Sequence, residues 1–244
     1  MRAFWREARF WAVMIALAPV IAWQGKQVRR TTPRLPEPPG LRLHWPDERS
    51  VSLLVVGDSA AAGVGASDQS EALLGQLLER LPCQGDEEAG FCLLANTGDT
   101  AQDVIGKLDQ IPDAQFDWVV VSVGVNDVTG FTSLKRWRQQ LLSLRRSLQA
   151  RCQPEYLLFT AVPPMHHFPA LPQPLRGLLG WRARQLNRMM QETLGAHEVL
   201  AVEIPFDARY MARDGFHPGP LGYACWAEQV IARTTDRTDP KLHV

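Results

Sequence analysis

Cysteine is scarce in this chain, with four in 244 residues, no CxxC pair and no Cys/His cluster. That leaves no ligand set for a structural zinc site. No charge sign is in excess: Lys+Arg and Asp+Glu both total 26, so the formal net charge is zero. A neutral body without a basic cluster gives no support for nucleic-acid binding. No continuous apolar run reaches the roughly 20 residues that a spanning helix prefers. What is present is ordinary for a protein with a real core, 45% hydrophobic and 21% charged, and the length fits one α/β domain with extra segments. Cys83 and Cys92 flank a short polar loop. Two readings stay open there: a disulfide formed in an oxidising compartment, or two buried thiols.

An uncharged apolar run, residues 10–23 (FWAVMIALAPVIAW), stands at the N-terminus. Arg2, Arg6 and Arg9 precede it, and Lys26, Arg29, Arg30 and Arg34 follow. Trp5, Trp11 and Trp23 suit the headgroup level of a bilayer. A cleaved signal peptide needs a small-x-small site after the apolar run, and Ile21-Ala22-Trp23-Gln24-Gly25 is a poor one. Residues 1–30 therefore read as a membrane anchor or uncleaved signal-like helix, either a short span or a helix lying in the interface. A helix packed on the domain is the alternative. An extracytoplasmic or periplasmic domain is preferred, although basic residues on both flanks keep the positive-inside rule from deciding. Residues 31–40 (TTPRLPEPPG) read as a stiff proline-rich linker. The folded domain is expected over 41–235 and a polar tail over 236–244.

The body alternates strand-like and helix-like runs. Residues 51–57, 91–95, 117–124, 156–162 and 199–204 have strand character; 71–81, 101–108, 134–149, 181–194 and 221–232 have helical spacing. Such alternation implies a parallel sheet covered on both sides. The expectation is a three-layer α/β/α sandwich with a five-stranded parallel sheet, flavodoxin-like, with ligands beyond the carboxyl ends of the strands. Ser59, Gly98 and Asn126 each follow a strand candidate, so they should gather on one rim.

Three short strings carry chemistry: Gly57-Asp58-Ser59, Gly124-Val125-Asn126-Asp127 and Asp214-Gly215-Phe216-His217. A serine hydroxyl needs a base to become a nucleophile. His217 is the natural base, and Asp214, three residues earlier, can reach its Nδ1 in a tight turn. The backbone N–H groups of Ser59 and Gly98 and the side-chain amide of Asn126 are candidate oxyanion donors. Each string alone would be a plain turn or helix cap. Asp58 and Asp127 read as backbone-bonding turn residues.

In this order the strings resemble the SGNH hydrolase superfamily, the GDSL-type esterases and lipases. The resemblance covers about residues 53–225. It implies Ser59, Asp214 and His217 as the catalytic triad and Ser59, Gly98 and Asn126 as the oxyanion hole. It also implies the SGNH form of the α/β/α fold, and ester hydrolysis with no metal or organic cofactor. Ala60 stands where the GDSL signature has leucine. Residues 163–180, with five prolines and many apolar side chains, read as a long loop on the catalytic rim. Met165, Phe168 and Leu171 are its candidate pocket residues; a loop folded on its own apolar cluster is the other reading. The expected partners are an ester substrate (lipid, acyl or acetyl) and a membrane, met through the N-terminal segment. Acyl transfer by the same triad and a non-catalytic anchored scaffold are the alternatives.

Overall fold

A computed structural model describes residues 2–82 and 88–238. Cys83 lies outside them, so the Cys83–Cys92 question does too. The chain opens with helix α1 (Arg2–Thr31), followed by β1 (Leu43–His44), β2 (Arg49–Gly57), α2 (Leu73–Leu78), β3 (Glu88–Ala95), α3 (Ala101–Ile105) and β4 (Trp118–Ser122). Then come α4 (Val125–Thr129), α5 (Leu134–Cys152), β5 (Tyr156–Thr160), α6 (Leu175–Leu194), β6 (Val199–Leu200) and α7 (Pro220–Thr238).

The strands form one sheet of order β1-β3-β2-β4-β5-β6. The three-layer α/β arrangement is the one expected, with two corrections. There are six strands rather than five, and β1 pairs antiparallel with β3, so the sheet is mixed. At two residues, β1 is too short to show periodicity; β3 and the backbone around Arg42 define it. The other pairs are parallel.

Period-two alternation splits each central strand between two cores. Leu54 and Val56 of β2, Val119 and Val121 of β4, and Leu157 and Phe159 of β5 face the core made with α5 and α6. Leu53 and Val55, Trp118 and Val120, and Tyr156 and Leu158 face the core made with α2 and α7. These side chains are nearly all fully buried, each contributing roughly 1.5–3 kcal/mol of transfer free energy. That explains why the strands read as continuous apolar runs.

Four segments differ from their sequence reading. The long loop expected over 163–180 is cut short because α6 starts at Leu175, with Pro174 at its N-cap. Proline is compatible with a helix start, and Gly177 and Gly180 masked the helical pattern. The strand expected over 199–204 pairs only at Val199 and Leu200. The proline-rich stretch 31–40 lies on the domain: Pro38 is buried, and Pro39 O accepts from the Gln69 backbone N–H at 2.9 Å. Helix α7 runs to Thr238, into the first residues read as a tail.

The register ends in one row, Gly57 beside Ala95 and Ser122, and Ser122 beside Thr160. A Cβ on Gly57 would overlap the Ser122 carbonyl oxygen and Ala61 Cβ. Glycine there lets the turn after β2 fold tightly over β4. Gly57→Ala should therefore cost about 1–3 kcal/mol, the usual penalty of overpacking. Thermal unfolding checks this as a lower melting temperature, and an unchanged one would show slack between turn and sheet.

Candidate active site

The last row of the sheet launches three turns. After β2, the Asp58 backbone N–H donates to Ser122 O at 3.0 Å, and Asp58 Oδ1 accepts from Ala60 N–H at 3.1 Å. This turn presents Ser59. The turn is also tied from the far end of the chain, because the buried Tyr223 hydroxyl donates to Val64 O at 2.7 Å.

The segment before α7 supplies the partner groups. His217 Nε2 lies 2.8 Å from Ser59 Oγ, and His217 Nδ1 lies 2.6 Å from Asp214 Oδ2. Asp214 Oδ1 also accepts from the backbone N–H groups of Phe216 (3.0 Å) and His217 (3.1 Å). Burial pushes the Asp214 carboxyl up, but these hydrogen bonds, led by the one to the His217 ring, outweigh it and hold the pKa below the ordinary carboxylate value. An ionised Asp214 fixes the proton of His217 on Nδ1 and leaves Nε2 to accept from the serine.

Gly98 follows β3 with φ +91, and no atom lies within 4 Å of where its Cβ would stand. The backbone conformation, rather than crowding, calls for glycine there. Neither the Ser59 N–H nor the Gly98 N–H has an acceptor among the described residues. Asn126 sits in the first turn of α4, and its Nδ2 donates to Asp99 O at 2.9 Å. One of its two amide hydrogens is thereby used, and the other is left for a ligand. All five residues named from the sequence thus converge on one rim.

Several supporting residues were not legible in advance. Glu37 Oε1, from the proline-rich stretch, accepts from Thr97 N–H (2.7 Å) and Thr97 Oγ1 (2.8 Å). Lys107 Nζ holds the Asp99 carboxylate at 2.6–2.8 Å and Asn96 Oδ1 at 3.0 Å. Together they fix both flanks of Gly98. Only the acid in a proline run could have pointed to Glu37. Asp127, as expected, bonds backbone: its Oδ2 accepts from Ala101 N–H at the start of α3, and its Oδ1 from the Thr132 hydroxyl, both at 2.9 Å.

A cavity of about 720 Å³ opens beside this rim and includes Ser59, Gly98, Asn126 and His217 in its lining. That is within the range of ligand sites, about 300–1,000 Å³. Met165, Phe168 and Leu171 also line it while belonging to the buried core. Helix α1 contributes Met14, Ala18, Ile21, Ala22, Gly25, Val28 and Arg29, a contribution that nothing in the sequence announced. Among the described residues no group of three or more His, Cys, Asp or Glu could hold a metal ion.

The family described as GDSL-like lipase/acylhydrolase matches residues 55–225. Similar solved structures include a lipase/acylhydrolase from Enterococcus faecalis, 20% identical, covering 78% of this chain and 98% of that one, with a TM-score of 0.55. TesA is 21% identical over 76% and 98%, with a TM-score of 0.57. The psychrotrophic esterase EstA from Pseudoalteromonas sp. is 16% identical over 76% and 97%, with a TM-score of 0.54. At these identities the likeness speaks for the fold. A search of curated proteins finds no match.

The buried Asp58 gives the site a pH signature. Burial is the main cause that pushes its pKa from 3.8 up to about 7; the Ala60 N–H and nearby His217 act downward, and Asp127 and Asp99 upward. An acid whose folded pKa lies above its unfolded value holds an extra proton between the two. Its contribution to stability is full below about pH 4, declines as pH rises to about 7, and stays low above that. Asp58→Asn keeps an acceptor for Ala60 N–H and removes the charge. Its advantage over the unsubstituted protein should be small at pH 4 and reach the order of a few kcal/mol above pH 7. Urea unfolding at a series of pH values checks this, and a constant difference would contradict it.

Proposed function

The chain belongs to the GDSL-like lipase/acylhydrolase family, a carboxylic ester hydrolase by that membership, and from this premise we propose that it cleaves esters through a Ser59–His217–Asp214 triad. The observation that carries the reading is the pair of contacts at the His217 ring, 2.8 Å to Ser59 Oγ and 2.6 Å to Asp214 Oδ2.

In this mechanism Ser59 Oγ attacks the ester carbonyl carbon while its proton passes to His217 Nε2. Asp214 stabilises the imidazolium that results. The carbonyl oxygen, now an anion, is met by the N–H groups of Ser59 and Gly98 and by the Asn126 amide. Collapse breaks the bond to the leaving alkoxide, which takes the proton from His217. Water then enters with His217 as base and releases the acid from the acyl-enzyme. Asp99 O holds the Asn126 amide in place, so the donor is oriented before substrate arrives.

The N-terminal helix adds a membrane role. Residues 7–31 form a helix long and apolar enough to cross a membrane. Its contacts favour a helix lying in the interface over a span. Phe10, Ile21 and Gln24 are buried against the domain. Gln24 Nε2 donates to Gln173 O at 2.6 Å, and Gln24 Oε1 accepts from Leu175 N–H at 3.1 Å. The buried Arg182 reaches Glu7 Oε1 at 3.4 Å and lies over the Phe10 ring. A spanning helix would have to surrender all of these. The opposite face leaves Ile15, Val20 and Trp23 exposed, with Arg9, Lys26 and Arg30 near its ends. That pattern suits an interfacial helix on anionic lipid.

Two measurements test the reading. Ser59→Ala should abolish p-nitrophenyl ester turnover and phosphonate labelling with a nearly unchanged melting temperature, and Asn126→Ala should lower kcat by about 100- to 1000-fold. Undiminished turnover by Ser59→Ala refutes the triad. The full chain should co-sediment with vesicles containing anionic lipid, and Trp23→Asp with Ile15→Asp should release it. Equal binding by that double variant refutes the interfacial role of α1.

A further inference from the structure

Helix α1 presents two apolar faces, an outer one and one that borders the cavity, where Ala18 and Ala22 are exposed. Residues 12, 15, 16, 19, 20 and 23 lie on the exposed side. Met14, Ala18, Ile21, Ala22, Gly25 and Val28 recur at helical spacing on the other, and these line the cavity beside Ser59 and His217. Phe131, Met165, Phe168, Leu175, Leu179 and Phe216 supply further apolar lining. Arg29, exposed, is the single charged side chain that α1 adds to the lining. Ser59, Gly98, Asn126 and His217, with Asp58, Thr97 and Ser122, make the part of the lining where the ester carbonyl would lie polar, and most of the remaining lining is apolar.

Resting on the esterase reading above, we propose that α1 is a wall of the substrate site: the cavity is an acyl channel for a long-chain ester, and Ala18, Ala22 and Gly25 set the chain length it admits. Each buried methylene is worth about fourfold in affinity. An apolar channel of this volume therefore rewards a long chain over an acetyl group, which would fill only the polar end. The small side chains at 18, 22 and 25 keep the α1 side of the channel open. A Cβ at Gly25 would meet nothing nearer than Arg29 Nη2 at 3.9 Å. A larger residue can thus be accepted without backbone movement, and leaving glycine also favours the helix. The location of α1 has a further consequence. The same helix that faces lipid on its outer side would guide the acyl chain on its inner side, which shortens the path from bilayer to Ser59.

The test uses the full chain in detergent micelles, with kcat/KM measured on p-nitrophenyl acetate and p-nitrophenyl palmitate. Gly25→Leu and Ala22→Phe should lower the palmitate value by at least about tenfold, since even two displaced methylenes cost that much. Acetate turnover should fall by a much smaller factor, so that the palmitate-to-acetate ratio drops, and an unchanged melting temperature shows that the variants fold. Palmitate and acetate values that fall together, or a palmitate value that does not change in either variant, overturn the role of α1. Absence of turnover on both esters by the unsubstituted protein would instead overturn the esterase reading, so the two failures are distinguishable.

Discussion

The His217 ring is the joint on which the site depends, because it bonds two residues that the chain keeps far apart. Asp214 is local, three residues earlier; Ser59 is 158 residues away. A hydrogen bond over that separation cannot come from local preference. It exists because the turn after β2 and the segment before α7 are clamped together. Tyr223, fully buried in α7, donates to Val64 O. His217 O accepts from Ala212 N–H at 2.8 Å, and Met211 bridges Pro218. A Cβ on Gly65 would collide with Pro218 O. The close approach of these two segments brings the imidazole within reach of the hydroxyl, and any loosening there would act on the chemistry before it acted on the core.

The Gly98 side of the rim follows a different logic. Ser59 and His217 are set by close backbone approach and bonds to backbone groups, whereas the Gly98 turn is set by charged side chains. Glu37 takes Thr97 on one flank and Lys107 takes Asp99 on the other. Arg42 in turn holds Glu37 at 2.8 Å. Burial raises the Glu37 carboxyl, but bonds from Thr97 and Arg42 win and hold its pKa below the ordinary value. In the proposed mechanism, donor groups fixed in this way need no reorganisation when the oxyanion forms. The proline-rich stretch is therefore more than a connector: its prolines hold the backbone extended, and the one acid among them reaches the turn.

Legibility in the sequence tracked how local each cause was. Asp214 and His217 share one turn, so their pairing could be read from spacing. The central strands β2, β4 and β5 are buried on both faces, so each announced itself as an uncharged run. Elements defined by a partner rather than by their own pattern were missed. β1 is two residues that exist as a strand only because β3 receives them. α4 is five residues bracketed by Gly124 and Gly130. The start of α6 was hidden by Gly177 and Gly180; the latter is a close-approach position, where a Cβ would press on the His166 backbone. Ser59, Gly98 and Asn126 were legible as rim residues because each follows a strand. Glu37 and Lys107 were not, because their roles arise from contacts across the fold.

The exposed face of α1 places a constraint on how the protein can exist in water. Ile15, Val20 and Trp23 lie on one side of a helix whose other side is already engaged, so no rotation can bury both. The engaged side is fixed at its two ends, by Glu7 with Arg182 and by Gln24 with the start of α6. Arg182 is wholly enclosed, and Thr132 O takes its guanidinium at 2.6 Å; removing Glu7 from it would leave a buried charge short of its counter-ion. Detaching α1 to satisfy its outer face therefore costs polar contacts as well as apolar ones. The interfacial placement proposed above, with lipid covering the helix where it lies, avoids that cost. In that arrangement the membrane covers the outer face, the domain keeps the inner one, and the cavity beside Ser59 sits one helix diameter from the acyl phase.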